Sequence, residues 1–242
     1  IYTIFQPSVT DTLTNTNRWI KIPFVGFTFQ PSTLAGVILM IYVSRYLAKI
    51  KDIDVRFSQT ILPLWIPTLF ILLLILPANF STTAIIFSMV ILLCFVGGYP
   101  IKHLLGIVLS GILVLSIFIL TIKAYPGIFP NRVDTWKSRI ENFVNKENTT
   151  ENYQIEKAKI AIATGGVRGL GPGKSVQKNF LPQSSSDFIF AIIVEEYGLI
   201  GGLFLLTVYA LFLLRIIIIS NKAESVFGSL LVIALGVPII FQ

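Results

Sequence analysis

The sequence predicts an all-α protein, a polytopic transmembrane helical bundle with a long extracytoplasmic loop. Of its 242 residues, 54% are hydrophobic and only 13% are charged, and the mean hydropathy is +0.80. Soluble domains carry about 25% charged residues, so most of this surface must face lipid. Helices are favoured over a β-barrel because the alternating polar and apolar positions of barrel strands are absent.

Six stretches are suited to cross a membrane, since a spanning helix needs about 20 mostly apolar residues. They cover residues 32–48, 60–77, 82–99, 103–122, 187–214 and 225–242. Residues 123–186 form the long loop, and we treat residues 1–242 as a single integral membrane domain. Because the chain begins at Ile1 and stops at Gln242 within an apolar run, we expect further helices beyond both ends.

The short connections between spans predict the orientation. Three of them are cationic and hold, in chain order, Arg45, Lys49, Lys51, Arg56, then Lys102, then Arg215 and Lys222. The second-to-third connection, residues 78–81, carries no charge. Positive residues favour the cytoplasmic side, so the neutral connection lies outside. By parity, the loop of residues 123–186 lies outside as well.

The net charge of +7 does not indicate nucleic-acid binding, because the cations lie in connections between apolar runs, as at a membrane surface. The long loop holds ten Lys or Arg residues against five acids. Such a loop suits an anionic ligand, for example a lipid-linked pyrophosphate. A solvated loop that touches anionic lipid is the alternative. The single cysteine, Cys94, and the single histidine, His103, provide no metal-binding cluster.

Three acids near the start of the fifth span are candidate functional groups. Asp187 follows three serines, which is typical of a helix N-terminus; it is either a helix cap or a carboxylate at the outer membrane boundary. Glu195 and Glu196 lie roughly 12 Å deeper along a helix. Acids at that depth are costly and are usually functional or paired, and we favour structural pairing or conformational coupling over direct chemistry.

The region that contains these acids resembles the signature of the shape, elongation, division and sporulation (SEDS) family. Residues 165–202 read GGVRGLGPGKSVQKNFLPQSSSDFIFAIIVEEYGLIGG, and the resemblance lies in the Gly-rich turn, Ser-Val-Gln-Lys, Leu-Pro, Asp-Phe-Ile-Phe-Ala and Glu-Glu-x-Gly. Further matches are Asn17–Ile20, Phe29–Ser32, Arg139-Ile140 and Tyr153-Gln154. They cover nearly the whole chain, equivalent to about the fourth to ninth of the family's ten helices. Gln183 departs from the family, which often has Glu there, and the Ser-Val-Gln-Lys form is similar to the division branch.

The resemblance implies a peptidoglycan glycosyltransferase that polymerises lipid II during bacterial cell division. For this reaction we hypothesise that Asp187 is the catalytic base or acceptor-orienting carboxylate. The candidates for pyrophosphate contacts are Arg139, Lys174 and Lys178, and Gln177 would position sugar or loop. A divalent cation could assist, with no metal ligands named. The implied partners are a class B penicillin-binding transpeptidase and other divisome membrane proteins, in the bacterial cytoplasmic membrane. Two alternatives stay open: a lipid II flippase that depends on Glu195 and Glu196, and a non-catalytic divisome scaffold.

Overall fold

The structure, a computed structural model, describes residues 20–21, 28–53, 56–76, 79–124, 150–181, 184 and 186–241. These residues form α1 (Pro31–Ile50), α2 (Phe57–Ile75), α3 (Phe80–Val96), α4 (Ile101–Ala124), α5 (Thr150–Gly165), α6 (Ile189–Lys222) and α7 (Val226–Phe241). A two-residue antiparallel ladder pairs β1 (Ile20–Lys21) with β2 (Thr28–Phe29). The predicted all-α polytopic fold is confirmed.

The helices follow the predicted apolar stretches, with shifted ends. Among the described residues, three helices are long and apolar enough to cross a membrane: α1, α2 and α6. Shorter apolar helices cover Phe80–Val96, Ile101–Val114 and Val226–Ile240. Arg215 lies inside α6 and not in a connection, because four isoleucines continue the apolar helix beyond it. The predicted loop of residues 123–186 includes the 16-residue helix α5.

Residues 1–118 and 213–242 make up one of two compact units. Its core lies where α1 packs against α7 and α3. Helix α1 begins with Pro31 at its first position, where the missing N–H is not needed. The residues that α1 buries recur three or four positions apart, as one face of a helix requires: Gly36, Leu39, Met40, Val43, Ser44 and Leu47.

A directed chain of hydrogen bonds ties α2 to the start of α4 in this unit. Trp65 Nε1, which can only donate, lies 3.3 Å from the hydroxyl of Tyr99. That hydroxyl lies 2.6 Å from Thr60 Oγ1, and Thr60 in turn donates to the carbonyl of Phe57 at 2.7 Å. Tyr99 therefore accepts from Trp65 and donates to Thr60. The chain satisfies three polar groups that are buried in an apolar core.

The second compact unit comprises residues 119–212. Its described part holds α5, a glycine-rich segment, a 3₁₀ turn at Gln177–Asn179 and the first part of α6. The buried side chains here are Ala161, Leu181, Ala191, Ile192, Val194 and Glu195. Glu195 is the exception in this otherwise apolar set, and the candidate site is built around it.

Candidate active site around the broken helix α6

Helix α6 is interrupted at Gly198, whose backbone adopts φ 70° and ψ −171°. The break frees backbone groups that an intact helix would pair, and in a membrane protein each such group must find another partner. The segment Gly166–Gly171 supplies these partners. Four hydrogen bonds join the two segments: Leu170 N to Glu195 O at 2.9 Å, Gly171 N to Glu196 O at 2.9 Å, Leu199 N to Gly166 O at 2.8 Å, and Ile200 N to Val167 O at 3.4 Å.

Glycine is required where these two backbones meet. A Cβ on Gly169 would lie 2.2 Å from the carbonyl oxygen of Glu196, and one on Gly198 would lie 2.3 Å from the carbonyl oxygen of Val167. Both glycines also have positive φ, which side chains rarely adopt. The glycine-rich sequence thus lets a loop pair directly with a broken helix, and this pairing sets the position of the residues that follow.

The carboxylate of Glu195 binds the chain immediately after the glycine-rich segment. Its side chain is fully buried, with 0% of its surface exposed. Oε1 accepts hydrogen bonds from the backbone N–H of Val176 at 3.1 Å and of Gln177 at 3.3 Å. Oε2 accepts from the hydroxyl of Ser175, and that hydroxyl accepts from the N–H of Lys178 at 3.1 Å. We call this arrangement the Glu195 clamp.

Helix α5 contacts the far end of the same turn. Lys157 Nζ on α5 lies 5.2 Å from the ring centroid of Phe180 and, within α5, 5.3 Å from that of Tyr153. Both distances fall within the range of cation–π attraction. Leu181 is 3% exposed and anchors the chain just beyond Phe180. The turn between Ser175 and Leu181 is therefore held at both ends.

The residues predicted for the site occupy different surroundings. Lys174 and Lys178 have exposed side chains on either side of the Glu195 clamp. Gln177 joins the clamp through its main chain, while its buried Oε1 has no hydrogen-bond partner among the described residues. Asp187 is exposed and lies two residues before α6 begins. Arg139 lies outside the described residues.

Sequence reasoning placed Glu195 as a paired acid and missed its partner. Ser175 stands 20 residues earlier in the chain, and no local pattern connects the two. The Ser-Val-Gln-Lys motif was at most a partial signal, because successive backbone N–H groups in a turn can bind an anion but the motif does not show which acid they bind. Within the described ranges no group of three His, Cys, Asp or Glu residues could hold a metal ion, and we assign no metal ligands.

The fold and site define a polytopic membrane protein in which a glycine-rich, basic segment pairs with a broken apolar helix. The chain belongs to the FtsW/RodA/SpoVE family of cell cycle proteins, whose family model matches residues 1–242. The predicted SEDS membership is thereby confirmed.

Curated relatives carry a consistent name. A probable peptidoglycan glycosyltransferase FtsW from Marinomonas mediterranea is 33% identical over 225 residues, which cover 91% of this chain and 52% of the relative. A second protein of the same name, from Geobacter sp. strain M18, is 31% identical over 241 residues, which cover 98% of this chain and 62% of the relative. The chain thus spans about half to three fifths of the length of these relatives.

Two solved structures share the fold at 19% sequence identity. One comes from work described as the structural coordination of polymerization and crosslinking by a peptidoglycan synthase complex; its TM-score is 0.66, with 97% of this chain and 62% of that chain covered. The other is a point mutant of the Thermus thermophilus rod shape determining protein RodA, with a TM-score of 0.57 and coverages of 97% and 58%. At this identity the likeness concerns the fold alone.

Proposed function

We propose that the chain is part of a peptidoglycan glycosyltransferase that polymerises lipid II into glycan strands during cell division. The observation that carries the proposal is the placement of an exposed carboxylate, Asp187, beside α6, in the same compact unit as the exposed lysines Lys174 and Lys178. The names of the curated relatives support the same activity and the division branch.

The reaction needs a base and an anion-binding group. The acceptor sugar hydroxyl attacks the anomeric carbon of the donor, a C–O bond forms, and the bond to the undecaprenyl pyrophosphate breaks. Asp187 takes the proton of the attacking hydroxyl or orients that hydroxyl. Lys174, Lys178 and Arg139 stabilise the negative charge that develops on the departing pyrophosphate. Gln177 helps to position the sugar or the loop.

The proposed setting is the outer face of the bacterial cytoplasmic membrane. The partners are a class B penicillin-binding transpeptidase, which would crosslink the new strand, and other divisome membrane proteins. A divalent cation could help to neutralise the pyrophosphate.

The flippase alternative assigns the central role to acids along a transmembrane path. Both oxygens of Glu195 accept hydrogen bonds from Ser175, Val176 and Gln177. A carboxylate that is saturated in this way is suited to hold structure and poorly suited to carry a polar headgroup. The clamp therefore favours the polymerase over the flippase.

The test is glycan synthesis from purified lipid II by the full-length protein with its transpeptidase partner, comparing wild type with Asp187→Asn. Asparagine matches aspartate in size and in its ability to cap a helix, so the variant removes the base with little change at the helix terminus. We expect the polymerisation rate to fall at least about a hundredfold. Asp52→Asn, at an exposed position after α1, is the matched control and should keep wild-type activity.

Equal polymer from wild type and Asp187→Asn would reduce Asp187 to a helix cap and contradict the assignment. If wild type makes no polymer but moves lipid II across vesicle membranes, the flippase alternative holds. If neither activity is found and the variants still recruit the transpeptidase, the chain is a scaffold.

A further inference from the structure

The Glu195 clamp links a buried acid to the two lysines proposed to bind pyrophosphate. Lys174 directly precedes Ser175, and Lys178 donates its own N–H to the hydroxyl of Ser175. Lys174 is therefore the chain neighbour of a residue that Glu195 binds, and Lys178 is one hydrogen bond away from that same residue. Any displacement of the clamped turn moves the backbone of both.

We propose that Glu195 is a positioning residue that fixes the turn Ser175–Asn179 and thereby sets the geometry of Lys174 and Lys178 toward the anionic part of the substrate. This inference rests on the proposed function. Glu195 itself touches no substrate, because its side chain is fully buried and both of its oxygens are occupied by the turn. It acts through the backbone that it holds.

The hydrogen bonds indicate why a carboxylate occupies this position. Three backbone or hydroxyl donors converge on one side chain: the N–H groups of Val176 and Gln177 and the O–H of Ser175. An ionised carboxylate offers acceptors only and can serve all three. Alanine would leave these partly buried donors without their acceptor, which is costly, and the turn would shift to find new partners.

Glutamine separates positioning from charge. In Glu195→Gln the amide oxygen can still accept from Val176 and Gln177. The amide nitrogen can donate to Ser175, whose hydroxyl has a second lone pair and can rotate its proton away. The clamp can therefore survive in Glu195→Gln but not in Glu195→Ala. A residue that acts by carrying a proton or a charge would be disabled equally by both changes.

The experiment measures kcat and KM for lipid II, together with inhibition by inorganic pyrophosphate as a probe of the lysines. For Glu195→Ala we expect kcat/KM to fall by about a hundredfold, the scale associated with a misplacement of about 1 Å, and pyrophosphate inhibition to weaken in parallel. Glu195→Gln should recover most of both. Glu196→Gln, the adjacent half-buried acid whose side chain is outside the clamp, is the matched control and should resemble wild type.

A second readout does not depend on polymerase activity. Limited trypsin digestion in detergent should cleave after Lys174 and Lys178 faster in Glu195→Ala than in wild type or Glu196→Gln. If Glu195→Ala fails to fold, Ser175→Ala takes its place, because it removes the hydroxyl that joins Glu195 to Lys178. If the variant is cleaved faster but the wild-type protein makes no glycan polymer, the clamp is supported and the proposed function is contradicted.

Two results would overturn the positioning role. One is unchanged cleavage, kcat/KM and pyrophosphate inhibition in Ser175→Ala and in folded Glu195→Ala. The other is a Glu195→Gln variant as inactive as Glu195→Ala while its tryptic pattern remains that of wild type, which would assign Glu195 to the chemistry itself.

Discussion

At the scale of single residues, three acids near the start of α6 differ in exposure. Asp187 is exposed, Glu196 is half-buried and Glu195 is fully buried. A reacting carboxylate must reach its substrate, whereas a buried one must be saturated with donors to be tolerated. The structure thus divides one acidic cluster of the sequence into a candidate base and a structural clamp.

Two glycines of the same segment give a prediction with an internal control. Gly169 has φ +77° and meets the backbone of α6, whereas Gly173 has φ +73° and open space within 4 Å of the point that a Cβ would occupy. Gly173→Ala should cost about 1–2 kcal/mol, the cost of a left-handed alanine. Gly169→Ala should cost clearly more, because the loop must also move away from Glu196.

The measurement is the loss of thermal stability of the purified protein in detergent, with trypsin cleavage after Arg168 and Lys174 as a local probe. Equal destabilisation by the two alanines would show that close backbone approach contributes nothing beyond the strain of positive φ. Such a result would contradict the pairing of the glycine-rich segment with the broken helix.

At the scale of elements, the chain Trp65–Tyr99–Thr60 fixes α2 against the start of α4. Tyr99→Phe removes the hydroxyl that accepts from Trp65 and donates to Thr60. Thr60 keeps its bond to the carbonyl of Phe57, so the buried Nε1 of Trp65 is the group left without a partner. We expect a loss of about 1–3 kcal/mol in the free energy of unfolding.

Tyr209→Phe is the matched control, because Tyr209 is 46% exposed on α6 and its loss of a hydroxyl should be nearly neutral. Denaturant unfolding in mixed micelles, followed by tryptophan fluorescence, compares the two variants. If Tyr99→Phe is as stable as Tyr209→Phe, the hydrogen-bond chain has no role in holding these elements together.

The elements differ in how far the sequence predicted them. The spans were predictable because long apolar runs impose helices whatever their neighbours are. Helix α5 was not, since Thr150–Gly165 is a mixed polar and apolar sequence within a basic region. The break at Gly198 was also missed, because a single glycine in an apolar run is common in membrane helices. The break is stabilised by the segment Gly166–Gly171, about 30 residues earlier, which supplies the replacement hydrogen bonds. A local sequence pattern does not show this pairing.

At the scale of the molecule, the exposed surface of the helices is itself apolar. Leu62 is 74% exposed on α2, Phe204 is 71% exposed on α6, and Leu113 is 61% exposed on α4. In water such surfaces would drive aggregation, whereas in a bilayer they face lipid. Several hydroxyls on these helices bond to the backbone of their own helix, as Thr207 does to the carbonyl of Leu203 at 2.8 Å.

The proposed reaction depends on the orientation of the chain in the membrane, which labelling can measure. Lys174 must lie outside if it is to meet the pyrophosphate of an outward-facing lipid substrate, whereas Asp52 and Glu224 lie in connections that the sequence predicts to be cytoplasmic. Variants that add one cysteine at each of these exposed positions test this directly, since the native Cys94 is 0% exposed and should give little background. In intact spheroplasts, a membrane-impermeant maleimide should label Lys174→Cys, and should label Asp52→Cys and Glu224→Cys only after permeabilisation. The reverse pattern would place the basic segment in the cytoplasm, where it could not polymerise glycan strands on the outer face.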